Sequence, residues 1–313
     1  MRTRQWLLLA IVLSVPSISS ATDLNEQTVK AWEQYIRGVN ARMQQRLADP
    51  GNFLWMDETV GRRDRVRQGE IVVEPATKDI PEKVPQGLIH DWLGAVFIPN
   101  TTMDAVFTTL SDYDSYNKFY NPAVIDAKLR EVTGPSRKFS LVLAEKVPFV
   151  TAAIASEYTS QTYRVDDHHR YTVTYSTRIQ QIDDYGKAGQ HVLPPDHGAG
   201  YIWRLYSIER FEERDGGVYA ELEAIALSRN IPLELQWLVR PILQHMPRNS
   251  MVGTLAKTRQ AVSTSGGSNA PELAKLASPG ADSGKSGAAP KRGNSFRSPQ
   301  SPAPRSMGVR SPD

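Results

Sequence analysis

The 313-residue chain has no cysteine, so disulfides, thiolate nucleophiles and cysteine-ligated metals are excluded and a packed core must hold it. A net charge of +3 invites a nucleic-acid reading, but residues 264–313 carry seven Lys/Arg against three Asp/Glu, a net of +4, which leaves −1 for everything before them. A nearly neutral body lacks the clustered basic face that nucleic acid requires, so no nucleic-acid partner is expected.

Residues 1–21 have the pattern of a secretory signal: Arg2 and Arg4 precede the apolar run Trp6 to Val15, Pro16 breaks it, and Ser19-Ser20-Ala21 offers a cleavage site. The run falls well short of the roughly 20 apolar residues that cross a bilayer, which predicts cleavage near Thr22 and a periplasmic or secreted protein. From Asp23 to Ala48 a helix is predicted, with Asp23 as cap, Glu26 three residues on, and Val29, Trp32, Ile36, Val39, Met43 and Leu47 at helical spacing. That stripe docks on the protein's own body, the alternative being a membrane-surface or partner helix. Phe53 to Gln86 reads as irregular, with one strand at Ile71 to Val73.

The main body opens with a strand, Leu88 to Ile98, ended by Pro99. Asn100 to Asp104 start a first short helix through Leu110, and a second lies within Tyr113 to Tyr120 before Asn121-Pro122. The period then changes to two. Six strands follow: Val124 to Thr133, Lys138 to Val147, Ile154 to Val165, Tyr171 to Ile182, Gly200 to Glu213 and Val218 to Arg229. Ile231-Pro232 opens a last helical stretch to Val262, which Pro241 and Pro247 kink or divide. From Thr264 onward, Ser, Gly, Pro and Ala dominate and the chain cannot offset its ordering entropy, so a disordered basic tail is expected. Within it Gly280 to Ser286 falls one residue short of a phosphate-binding loop and follows no strand.

A two-residue turn at Asp215-Gly216 pairs Arg210 with Glu221, Ile208 with Glu223 and Tyr206 with Ile225. Arg204, Tyr206, Arg210, Tyr219, Glu221 and Glu223 then share a charged, self-pairing face, which is expected to be the solvated outside. The opposite face carries Trp203, Leu205, Ser207, Glu209 and Phe211, with Val218, Ala220, Leu222, Ala224 and Ala226 beside them. Glu209 stands out there, because an unpaired carboxylate on an apolar face costs several kcal/mol. It meets a ligand or partner, or a bulge turns it outward.

The segments Phe97-Ile98-Pro99, Asp112 to Tyr116, Tyr120-Asn121-Pro122, Gly200 to Arg204, Asp215 to Tyr219 and Leu227 to Pro232 are similar to those of the START-like (SRPBCC) superfamily. That family includes START lipid-transfer domains, polyketide cyclases and coenzyme Q-binding proteins. The resemblance covers residues 87–263, after an N-terminal helix and connecting segment over 22–86 and before the tail. It implies an α+β helix-grip fold: a curved antiparallel sheet wrapped around a long C-terminal helix, with an apolar cavity between them. It does not imply one chemistry.

On that frame the expected ligand-binding residues are Trp203, Leu205, Ser207, Glu209, Ala220, Leu222, Ala224, Val173, Tyr175, Leu141, Leu143, Leu238 and Ile242, with Ile179 and Leu235 nearby. A filled core uses the same residue types. No catalytic residue, metal or cofactor is assigned. Asp166-Asp167-His168-His169 sits where a hairpin turn is needed, His197 beside Asp196 lies in a Pro/Gly loop, and no Gly-x-Ser-x-Gly occurs. The leading reading is an exported carrier of a lipid or other hydrophobic molecule, touching a membrane surface at most transiently. A cyclase- or hydrolase-type enzyme using Glu209, Tyr175 or His197, and an envelope interaction module, are the alternatives.

Overall fold

The computed structural model describes residues 24–147, 150–198, 202–230 and 248–265. The expected leader, Leu235, Leu238, Ile242 and the tail beyond 265 lie outside the described residues. Helices are α1 (Glu26–Ala48), α2 (Val60–Arg67), α3 (Met103–Leu110), α4 (Tyr116–Phe119) and α5 over 248–265. Strands are β1 (Val72–Pro75), β2 (Glu82–Val84), β3 (Gly87–Pro99), β4 (Val124–Thr133), β5 (Ser136–Val147), β6 (Val150–Arg164), β7 (His169–Asp183), β8 (His191–Val192), β9 (Arg204–Arg214) and β10 (Gly217–Arg229). The architecture is α+β. One antiparallel sheet runs β1-β3-β10-β9-β7-β6-β5-β4, with β2 added beside β3 and β8 beside β7.

Turn chemistry fixes the register of the last hairpin. Asp215 and Gly216 both take positive φ, 55° and 76°, as a two-residue turn matched to strand twist demands. Arg210 therefore opposes Glu221, Ile208 opposes Glu223 and Tyr206 opposes Ile225, as the spacing predicted. The α1 helix begins two residues later than a cap at Asp23 would place it: Asn25 caps it, its side chain accepting from the Gln27 N–H at 2.7 Å. The chain segments α2, β2 and β8 had no sequence signal. In α2, a charged Val60–Arg67 run, Val66 is the one buried residue.

Each face of the sheet is covered by different elements. On one side α1 lays Trp32, Val39 and Met43, together with Phe53, Leu54, Trp55 and Met56, over Ile208, Tyr219, Ile225 and Leu227. On the other, α3 and α5 bring Met103, Val106, Met251, Leu255 and Val262 against Val96, Ile98, Phe211, Val218 and Ala220. The α5 helix comes so close to β3 that a Cβ added at Gly94 would lie 2.7 Å from Leu255 Cδ1 and 2.8 Å from Met251 Sδ.

The face expected to be solvated is buried. Arg210, Glu221 and Glu223 are 0%, 1% and 5% exposed beneath α1. Arg210 Nε donates to Glu221 Oε1 at 2.6 Å, and its Nη1 and Nη2 donate to Glu223 Oε2 at 3.0 and 2.8 Å. The second Glu221 oxygen accepts from the Met56 N–H at 3.0 Å, and Arg42 from α1 reaches Glu223 Oε1 at 3.3 Å and Asp91 Oδ2 at 3.4 Å. Residues that pair with one another across strands look alike on a wet surface and in a closed network. The hairpin register says which side chains share a face, and only the docking of α1 says that this face is covered.

Candidate functional site

The site is built on the face opposite α1. Cross-strand partners share a face, so the register places Leu205, Ser207, Glu209 and Phe211 of β9 with Ala220, Leu222, Ala224 and Ala226 of β10, and these with Trp92, Gly94 and Val96 of β3. Thr172 and Thr174 of β7 lie opposite Glu209 and Ser207, followed on β6 by Thr162 and Ser160. Leu141 and Leu143 of β5 come next, opposite Ser156 and Ile154.

Burial along β9 and β10 alternates in one sense. Tyr206, Ile208, Arg210, Glu221, Glu223 and Ile225, facing α1, are buried, whereas Leu205, Ser207, Glu209, Leu222, Ala224 and Ala226 are only half-buried. The charged face is closed, whereas the apolar face is closed beneath α3 and α5 at Phe211, Val218 and Ala220 and only half-buried from Glu209 to Leu205 and from Leu222 to Ala226.

Three residues depart from their expected places. Val173 and Tyr175 oppose Ile208 and Tyr206 on the α1 side, where Val173 packs against the core and Tyr175 stays 42% exposed. The cause is a bulge: Glu157 pairs with Arg178 and Tyr158 with Ser176, which leaves Thr177 as an extra residue and reverses the phase of β7. Ile179, beyond the bulge, faces inward, and Val173 and Tyr175, before it, do not. Trp203 precedes the first residue of β9 and packs, buried, into the cluster on the α1 side. Leu238 and Ile242 lie outside the described residues, and the other expected residues sit on the open face.

The sequence reading passed over the polar part of this face. An aromatic ladder of Tyr116, Tyr113, Phe139 and Tyr158 lines one end, with ring centroids 5.1, 4.4 and 5.1 Å apart. The Tyr116 hydroxyl donates to the Leu110 carbonyl at 2.7 Å, and that of Tyr120 shares a hydrogen bond with Thr258 Oγ1 of α5 at 3.0 Å. Thr162 and Thr172 pair at 3.0 Å, and Thr174 donates to Ser160 at 3.0 Å. The signal was the Tyr-rich run 113–120, which the helical spacing absorbed.

Among the described residues no protein group bonds or pairs with Glu209. Burial pushes its carboxyl up to about 7. Burial also raises Tyr113, Tyr116 and Tyr120 above the ordinary tyrosine range, the last to about 12, and the nearby Glu209 charge adds to each. Neither of two open clefts, about 580 Å³ beside Arg67 and Arg259 and about 430 Å³ beside Asn100 and His168, reaches this carboxyl. Asp166 accepts from the His168 and His169 N–H groups at 2.8 Å each, as a turn residue does, and His197 is exposed in its loop. No group of three His, Asp or Glu among the described residues could hold a metal ion.

A strand, two short helices, an antiparallel run and a closing helix seated on the inner face make up the helix-grip layout. The fold is α+β and of the helix-grip kind. No protein-family model matches the chain, and no curated protein matches it in sequence. Among solved structures it is similar to a STAR-related lipid transfer protein fragment from Xanthomonas axonopodis, at 16% identity over 61% of this chain and 98% of that one, TM-score 0.39. It is also similar to human STARD10, at 11% over 66% and 73%, TM-score 0.40. A third is the Zhui aromatase/cyclase from Streptomyces sp. R1128, at 12% over 56% and 94%, TM-score 0.38.

Proposed function

We propose that this START-like chain binds a hydrophobic small molecule between the inner face of its sheet and the helices over it, and carries that molecule outside the cytoplasm. The observation that carries the reading is the burial pattern of β9 and β10, where Leu205, Leu222, Ala224 and Ala226 of the inner face are left half-buried. Leaving Leu205, Leu222 and Ala224 partly uncovered forgoes about 25 cal/mol per Å² that an apolar ligand would recover. Export rests on the signal-like pattern of residues 1–21. Solved proteins named for lipid transfer and for aromatase/cyclase activity share the layout.

Native mass spectrometry of the chain made by secretion, followed by organic extraction, tests both parts. A bound apolar species of defined mass and an N-terminus near Thr22 are expected; an empty protein that binds no hydrophobic dye contradicts the carrier reading. Glu209, titrating near neutrality in an apolar setting, favours a second reading as a general acid in an enzyme. Recovery of a ligand chemically altered from the one supplied distinguishes it.

A further inference from the structure

Ser207 and Glu209 are adjacent on the inner face of β9 and both half-buried, and no protein group among the described residues bonds to either side chain. Their neighbours do not lack hydrogen-bonding groups; those groups are committed elsewhere. Thr172, directly across from Glu209, is paired with Thr162, and Thr174, across from Ser207, donates to Ser160. Tyr116 donates to a backbone carbonyl and Tyr120 is bound to Thr258. These four hydroxyls have partners within the protein, and the pair has none among the described residues. Two polar side chains left side by side without a protein partner on an otherwise apolar inner face are placed to meet a group that arrives from outside.

Resting on the ligand-binding reading above, we infer that Ser207 and Glu209 hold the polar end of the ligand, and that this end is a neutral oxygen, a hydroxyl or carbonyl, on an otherwise apolar body. The charge state follows from the surroundings. Leu222 flanks Glu209 on β10 and Phe211 follows it on β9, and no cation among the described residues pairs with it, so the protonated acid is the form the site favours. The acid donates to the ligand oxygen, and Ser207 donates to it or accepts from it.

Three fluorescent probes that differ only at the chain end test this: decylpyrene, pyrenyl-decanol and pyrenyl-decylamine. The alcohol is expected to bind about five- to ten-fold more tightly than the hydrocarbon, the yield of one good hydrogen bond. Glu209→Gln keeps a neutral donor and should keep the preference; Glu209→Leu should lose it while binding decylpyrene at least as well as wild type. In wild type the preference should shrink between about pH 6 and pH 8 as the acid ionises, and in Glu209→Gln it should not. Among the described residues the other titratable and charged groups facing this site are Tyr113, Tyr116, Tyr120 and Tyr158, held above the ordinary tyrosine range, His90, held down to about 4, and the Arg137 guanidinium. None of them changes charge in that interval. Equal binding of alcohol and hydrocarbon by wild type overturns the inference while leaving the ligand-binding reading intact. Tightest binding of the amine overturns the neutral-oxygen assignment, and failure of all three probes to bind overturns both readings.

Discussion

Arg210, Glu221 and Glu223 illustrate how costly a buried network is to break. Arg210 has a side chain 1% exposed and serves two carboxylates at once. Arg210→Met removes the shared cation and leaves two buried negative charges facing each other, so a loss of about 3–5 kcal/mol is expected in urea denaturation. Two other buried groups make stability depend on pH with opposite signs. Burial, and then the Glu223 charge, push Asp91 up to about 7 from an ordinary value of 3.8, and burial holds His90 down to about 4 from 6.5. Between those limits the native state binds more protons than the unfolded chain at Asp91 and fewer at His90. The Asp91 contribution is therefore complete below about pH 4 and lost as pH rises through about 7, whereas that of His90 grows as pH rises from about 4 to 6.5. They offset each other on the acid side. Above about pH 6.5 the carboxyls Asp91 and Glu209 act alone, and stability should fall toward about pH 8. Asp91→Asn, which still accepts from the Tyr35 hydroxyl, should flatten that fall; equal slopes for variant and wild type in urea titrations at the two pH values contradict it.

At the scale of elements, α1 is held by its stripe more than by its own helical propensity. Trp32, Val39 and Met43 are buried in it, while Glu33 and Gln34 on the other face are exposed. Trp32→Ala should cost about 3–5 kcal/mol in urea, against less than about 0.5 for Glu33→Ala. Equal effects of the two would mean that α1 does not dock as described. The longer elements were legible from pattern and punctuation. The alternation from Val124 to Arg229, cut by Gly134-Pro135 and Asp215-Gly216, gave strands within a few residues of β4, β5, β6, β7, β9 and β10. The segments β2 and β8 were not legible, since two or three residues carry no period and are strands by virtue of pairing with β3 and β7. The phase of β7 was lost to one residue, Thr177, whose bulge no alternation count could place.

For the molecule as a whole, a ligand that binds only the folded inner face must stabilise it. Pyrenyl-decanol at a hundred-fold excess over its Kd should add about 2.7 kcal/mol, a rise of several degrees in Tm. An unmoved midpoint under those conditions contradicts binding to the folded inner face. The START-like layout was readable from element order, and so was the suspect carboxylate, because Glu209 interrupts an otherwise apolar alternation. Local rules reach that far: a turn sets φ, φ sets the register, and the register sets which side chains are neighbours. They do not say what lies above a face. Arg210, Glu221 and Glu223 satisfy one another whether water or α1 covers them, and Leu205 and Leu222 look like core whether or not anything packs on them. Only the long-range docking of α1 on one side of the sheet, and of α3 and α5 on the other, closed the charged face and left part of the apolar face half-buried.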